Sequence, residues 1–191
     1  AGSSLPFSWE AELYSGRRLQ RGPRAGEPEQ VNAAYINPFL SATIKLFEQT
    51  FAFSPAVGEV YLEERGHKHR WDISAVMVLT GNAIGVVAIR LTRYLADKLL
   101  ARTGVEWKSE DERESLMSGM VGELVNIIAG NASSELADYN IDISVPLVIQ
   151  GENHSVTWPD DAPIVAIPFT TPFGPFLVNV SILELPKAYR K

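Results

Sequence analysis

The stretch from Met117 to Ala132, which reads MSGMVGELVNIIAGNA, decides how the rest of the chain is arranged. Its apolar residues have the spacing of an amphipathic helix, but three glycines interrupt it. A glycine inside a helix costs about 1 kcal/mol relative to alanine. Three of them in one helix therefore need a reason.

Placed at about 100° per residue, the stretch separates into two faces. The apolar face holds Met120, Val121, Leu124, Val125, Ile127 and Ile128. The opposite, polar and glycine-rich face holds Gly119, Gly122, Glu123, Asn126, Gly130 and Ser134. Glu123 and Asn126 are neighbours on the helix surface because they are three positions apart. The polar face is nearly bare around this pair, which indicates a surface for close approach by another molecule. The alternative is a small-residue face that packs against a second helix of the domain.

Length and composition limit the class of protein. The chain has 191 residues, of which 46% are hydrophobic, and this suits one domain with a sizeable core. The formal net charge of −6 provides no footprint for nucleic acid or an anionic membrane. Cysteine is absent, which excludes disulfides and cysteine-type zinc sites. Neither a membrane span nor a signal-peptide core is found, so we expect a cytoplasmic protein without membrane insertion.

Residues 1–30 differ in composition from the rest of the chain. They contain Gly, Pro and a cluster of four arginines, with little periodicity. We expect an arm that docks on the domain, a linker from a preceding domain or a remnant of the expressed sequence. The remaining residues, 31–191, are expected to form one domain.

Local signals predict long helices and several strands. Asn37 and Pro38 favour an N-cap followed by proline at the first helical position. Thr92 and Ser109 are the expected N-caps of a short helix and of the long central helix. The strand candidates are 57–64, 71–79, 83–91, 141–149, 154–158, 164–169 and 176–183. We expect an α/β domain of the α+β type, with a six-stranded, largely antiparallel sheet packed with long helices.

The two halves of the chain resemble each other, which predicts an internal pseudo-repeat. Each half has a helix, then strands, then a β-hairpin whose turn contains Thr and Gly. Asn37 and Asn126 take equivalent positions, but Ala34 stands where the second half has Glu123. Because Pro38 follows Asn37, we expect Asn37 to be a structural helix cap. One functional site is therefore expected, on the central helix.

A metal site is a second candidate, in the charged turn that contains His67 and His69. Glu63 and Glu64 lie close by in the sequence. Carboxylate and imidazole groups can bind metal ions, but charged residues in a short turn are more often solvated. We therefore expect no metal site.

The chain resembles the CheC and CheX family of chemotaxis phosphatases, and CheX more closely. The matching stretches are YINPFL at 35–40, the hairpin around Thr80 and Gly81, GELVNIIAGNA at 122–132, and VAIPF at 165–169. They span roughly residues 32–185. The site motif of the family is an acidic residue or serine, three others, Glu, two others and Asn. Glu123 and Asn126 match it, whereas Gly119 stands at the first position.

The resemblance implies dephosphorylation of a CheY-like response regulator, which would carry an aspartyl-phosphate and bind Mg²⁺. The chain would need no cofactor of its own. Asn126 would orient the attacking water, as a glutamine does in small GTPases, and Glu123 would pair with a basic residue of the partner. Gly119, Gly122 and Gly130 would leave room for the loops of the partner. A homodimer with strands paired across its interface is also implied.

Two other functions stay open. One is a non-catalytic docking or dimerisation module of the same fold, since Gly119 departs from the motif. The other is an autonomous small-molecule phosphatase, against which the lack of a metal-ligand or nucleophile constellation counts.

Overall fold

The computed structural model describes residues 33–66, 71–136, 140–151 and 154–186. Within these ranges the chain forms three helices and eight strands. The helices are α1 (Ala33–Phe51), α2 (Arg93–Arg102) and α3 (Glu110–Glu135). The strands are β1 (Ala56–Val57), β2 (Tyr61–Leu62), β3 (Ile73–Gly81), β4 (Ala83–Leu91), β5 (Ile141–Ile143), β6 (Leu147–Gln150), β7 (Val165–Thr171) and β8 (Gly174–Glu184). The predicted segment 1–30 lies outside the described residues, as do His67 and His69.

The strands form one antiparallel sheet in the order β1-β7-β8-β4-β3-β5, with β2 also paired to β7 and β6 to β3. The short strands of each half pair with the hairpin of the other half. Strands β1 and β2 follow α1 but pair with β7, while β5 and β6 follow α3 but pair with β3. Each half thus contributes a helix, short strands and a hairpin in the same arrangement. The α/β class predicted from the sequence, with its internal pseudo-repeat, is confirmed.

The sheet has eight strands in the described residues, rather than the six expected. The candidate 57–64 forms two strands of two residues each, and the candidate 141–149 is divided into β5 and β6. Residues 154–158 form no strand. Instead, Val156 and Trp158 pack on the outer face of the sheet against Val86 and Ala88. Apolar spacing does not distinguish a segment that covers a sheet from one that pairs with it.

A β-bulge separates β5 from β6. Two residues of β3 lie opposite the three residues from Ser144 to Pro146, so the strand register shifts by one. Ser144 bridges the gap, because its N–H donates to Val78 O at 2.9 Å and its Oγ accepts from Val78 N at 3.0 Å. Pro146 has no N–H to donate to a ladder, which fits its place in the bulge.

Helix α1 begins at Ala33 and not at Asn37, so the predicted cap at Asn37 was wrong. Asn37 and Pro38 lie inside the helix, where a proline removes one backbone hydrogen bond. A contact distant in sequence holds this part of α1 in place. Pro38 is buried, and the Tyr35 hydroxyl donates to Glu184 Oε2 at 2.6 Å.

The hydrophobic core lies between the helices and the inner face of the sheet. Three phenylalanine rings join α1 to β8 and β7 in this core. The ring centroid of Phe176 is 4.6 Å from that of Phe47 and 4.8 Å from that of Phe169, with both pairs stacked. Aromatic pairs at such distances add to the free energy of burial. This packing places α1 beside α3 over the sheet.

The outer face of the sheet holds a buried ion pair. Arg90 Nη1 donates to Glu63 Oε1 at 3.1 Å, and Asn179 Nδ2 donates to Glu63 Oε2 at 2.8 Å. The Arg90 and Glu63 side chains are only 4% and 5% exposed. Burial lowers the pKa of Arg90, and the Glu63 carboxylate opposes this shift. The predicted solvated turn therefore does not include Glu63.

The substitution Glu63→Ala should be strongly destabilising, because it leaves the Arg90 charge buried without its partner. We expect the free energy of unfolding to fall by about 3–5 kcal/mol in chemical denaturation. Lys45→Ala is the control. It removes the exposed Lys45–Glu135 pair (3.5 Å) and should change the free energy by less than about 1 kcal/mol. Equal, small effects of the two substitutions would contradict this assignment.

Candidate functional site

Helix α3 is positioned by the N-cap that the sequence predicts. Ser109 Oγ accepts from Glu112 N at 3.2 Å, which confirms Ser109 as the N-cap. The Glu112 carboxylate reaches back to Lys108 N at 2.7 Å, one residue before the cap. The first contact satisfies a backbone donor that the first turn of a helix leaves unpaired, and the second satisfies the donor just before the cap. They fix where α3 begins and so which residues face the sheet.

The apolar face of α3 rests on the core, as its spacing predicts. Its buried members are Val121, Leu124, Val125 and Ile128, and its partly buried members are Met120 and Ile127. Burial of this face turns Gly119, Glu123 and Asn126 away from the core. Gly119 and Glu123 are exposed, and Asn126 is half-buried. We call these three residues with Gly130 the α3 stripe.

Glu123 and Asn126 are in contact on the α3 stripe. Asn126 Nδ2 donates to Glu123 Oε2 at 3.3 Å. A carboxylate only accepts hydrogen bonds, so the amide nitrogen must face Glu123 and the amide oxygen must point elsewhere. Within the described residues, the Asn126 side chain makes no other hydrogen bond. The pair therefore presents an oriented amide that can still accept and donate.

Glu123 is the single charged residue of the sequence between Ser115 and Ser134. Among the described residues it has no ion-pair partner. A carboxylate on a neutral surface attracts a cation from outside the chain. The stripe thus combines one charge, one amide and very little steric bulk.

The three glycines of this helix have different surroundings. A Cβ built at Gly119 would meet nothing within 4 Å, so this position is open. A Cβ at Gly130 would lie 3.9 Å from Ile143 Cδ1. Gly122 is buried, and its Cβ would lie 3.1 Å from Val148 Cγ2. Because Gly122 has no side chain, β6 can pack closely against the helix at this position. The sequence pattern did not indicate this contact.

Gly119→Ala should stabilise the protein, whereas Gly122→Ala should not. Alanine at position 119 enters open space and removes a helix-interior glycine, so we expect a gain of about 0.5–1 kcal/mol in the free energy of unfolding. Alanine at position 122 presses on Val148, and we expect no gain, or a loss of about 1 kcal/mol. Thermal and chemical denaturation of the two variants measure the difference. An equal gain in both would show that β6 yields to the new methyl group.

A second polar cluster lies on the outer face of the sheet, away from α3. His154 Nε2 is 2.6 Å from Ser74 Oγ, and His154 Nδ1 is 2.7 Å from Gly151 O. With Arg90 and two apolar residues, His154 and Ser74 line a cavity of about 10 Å³. That volume suits one water molecule rather than a substrate.

The described ranges contain no group of three or more His, Asp or Glu side chains placed to hold a metal ion. A search of the helices in the same ranges finds none with the length and apolar character of a membrane span.

A protein family matches the chain. The family described as chemotaxis phosphatase CheX matches residues 73–170. This range is just over half of the chain, and it contains all of α3 with Glu123 and Asn126. Curated protein sequences gave no match to the chain.

Solved structures with a similar fold point to the same family. A putative chemotaxis protein from Desulfovibrio vulgaris Hildenborough is 28% identical, over 78% of this chain and 96% of that one, with a TM-score of 0.69. The chemotaxis protein CheX from Desulfovibrio desulfuricans is 26% identical, over 78% and 99%, with a TM-score of 0.69. A CheX-CheY-BeF3-Mg²⁺ complex from Borrelia burgdorferi is 24% identical, over 78% and 98%, with a TM-score of 0.67. The expected resemblance to CheC and CheX is confirmed.

Proposed function

Because the chain belongs to the family of the chemotaxis phosphatase CheX, we propose that it hydrolyses the aspartyl-phosphate of a CheY-like response regulator. The observation that carries this proposal is the Glu123–Asn126 pair, oriented on the exposed stripe of α3. A structural neighbour solved as a complex of CheX with CheY, BeF3 and Mg²⁺ supports a CheY-like partner. The proposal places the reaction in the cytoplasm.

In the proposed reaction, a water oxygen attacks the phosphorus atom and the bond between phosphorus and the aspartate oxygen breaks. The aspartate leaves as a carboxylate, and the proton of the water passes to the released phosphate or to solvent. Transfer of a phosphoryl group needs little covalent help, so catalysis consists mainly of positioning. The Asn126 amide can accept from the water and donate to it at once, which would hold the water in line with the bond that breaks.

Glu123 has two roles in this proposal. In the free protein its carboxylate holds the Asn126 amide by the 3.3 Å hydrogen bond. In the complex it would pair with a basic residue of the receiver and fix the position of α3. The open surface at Gly119 would admit the loops around the phosphorylated aspartate. The Mg²⁺ belongs to the receiver, where it would neutralise charge on the phosphoryl oxygens; no cofactor is assigned to this chain.

Asn126→Ala tests the catalytic role directly. We expect phosphate release from a phosphorylated CheY-like receiver to slow by about 10²–10³-fold, as when one preorganised hydrogen-bonding group is removed. The fold should be retained, because Asn126 lies outside the apolar face of α3. Asn131→Ala is the matched control, since Asn131 is an exposed asparagine of the same helix away from the stripe. Full activity of Asn126→Ala would assign the water-positioning role elsewhere.

Glu123→Gln tests the ionic contact with the partner. The glutamine can still accept from Asn126 but carries no charge, so the half-saturating concentration of receiver should rise. This rise should be largest at low salt and shrink as salt is added, because added ions screen exposed charge pairs. Glu135→Gln, at an exposed glutamate of the same helix, should leave the concentration unchanged. A rise that does not depend on salt would mean that Glu123 acts through shape rather than charge.

A second candidate is a docking module that binds receivers without hydrolysis. It is favoured by Gly119, which provides no side chain at the first position of the motif. The two functions differ in turnover, because a binding module does not accelerate phosphate loss.

A homodimer is also part of the proposal. In the described residues, β5 and β6 pair only with β3, which leaves their other edge unpaired. An unpaired edge can accept a strand from another chain. This edge supports the expectation that strands of two copies pair across an interface. Light scattering of the purified protein measures whether it is a dimer.

A further inference from the structure

The bulge at residues 144–146 adjoins the α3 stripe. A Cβ at Gly122 would lie 3.7 Å from Pro146 Cγ, so Pro146 packs directly on the helix. Gly122 is three or four positions from Gly119 and from Asn126, which makes it their neighbour on the helix surface. The stripe and the bulge therefore form one continuous surface.

This surface carries an unusually exposed apolar side chain. Val145, in the middle of the bulge, is 85% exposed, the largest value for any large hydrophobic side chain among the described residues. Ile143, on the other side of Ser144, is 37% exposed, and its Cδ1 would lie 3.9 Å from a Cβ built at Gly130 of the α3 stripe. Exposed apolar side chains grouped beside a polar surface are typical of a protein-binding site.

The bulge holds Val145 in a defined place. Ser144 is bound twice to Val78, through its backbone N–H at 2.9 Å and its side-chain oxygen at 3.0 Å. On the other side of Val145, Pro146 has a restricted backbone and packs on Gly122. An apolar group that is already ordered loses little conformational entropy when a partner covers it.

A second copy of the chain is a poor occupant for this part of the edge. The bulge breaks the hydrogen-bonding pattern, and Pro146 has no N–H to donate to an added strand. Edge pairing can use β6, but it cannot continue through residues 144–146. The molecule that covers Val145 should therefore be one that approaches the α3 stripe.

We infer that Val145 is an apolar docking contact for the CheY-like receiver, beside the place where α3 meets the phosphorylated aspartate. This inference rests on the proposed function. It divides the roles at the site: Asn126 acts on the reacting water, Glu123 provides the charged contact, and Val145 adds affinity by covering apolar surface of the receiver next to its phosphorylation site.

The test compares Val145→Ser, Val145→Ile and Ile84→Ser. Ile84 is the matched control because it is a β-branched apolar residue, 42% exposed, on strand β4 of the sheet. Phosphate release is measured at increasing concentrations of phosphorylated receiver. For Val145→Ser we expect the KM for receiver to rise about tenfold with kcat unchanged, since covered apolar area contributes to affinity. Ile84→Ser should keep the wild-type KM. Val145→Ile should reverse the rise in KM seen for Val145→Ser, because it retains the apolar area that the receiver covers.

An unchanged KM for Val145→Ser, in a preparation where the wild type is active, would overturn the inference and leave the proposed function intact. A change in the oligomeric state of Val145→Ser, measured by light scattering, would also overturn it, because Val145 would then lie between two copies.

If the wild type is inactive, binding of receiver loaded with BeF3 and Mg²⁺ is compared instead. Weaker binding of Val145→Ser alone would then support the docking contact while the phosphatase proposal fails. Equal binding of all variants would overturn the contact.

Discussion

Strands β4 and β8 join the two halves of the chain. They pair at nine positions, from Ala83 with Glu184 to Leu91 with Phe176. Side chains alternate between the faces of a sheet, so a slip of one residue would turn every side chain of the strand to the wrong face. The inner-facing residues of β4 would leave the core, and Arg90 would lose Glu63. This register therefore fixes both the core beneath the helices and the buried ion pair behind the sheet.

The two halves share this frame, yet only the helix of the second half has Glu and Asn together at the equivalent positions. Helix α1 has Ala34 where α3 has Glu123, and Pro38 follows Asn37 inside the helix. Helix α3 buries its apolar face on the sheet, which leaves Glu123 exposed and Asn126 half-buried on its polar face. An exposed helix face of this kind is suited to contact with another protein, and a small substrate would find little enclosure there.

Features set by nearby residues could be predicted from the sequence, while features set by distant residues could not. The N-caps at Thr92 and Ser109 follow from short local patterns, and so does the apolar face of α3. The start of α1 could not be predicted, because the contact of Tyr35 with Glu184 spans 149 residues. The packing of Gly122 on β6 likewise depends on a strand that follows later in the chain. Pro146 was a local signal for the break between β5 and β6.

We propose that the stripe of α3 turns over phosphorylated receiver and does not merely bind it. The most direct test measures phosphate released from a large excess of phosphorylated CheY-like receiver by a small amount of this protein. A phosphatase should release many equivalents of phosphate for each molecule of protein, at a rate above that of the receiver alone. Release that never exceeds the receiver's own rate, at any concentration of the protein, would show that the protein is not a phosphatase for this receiver.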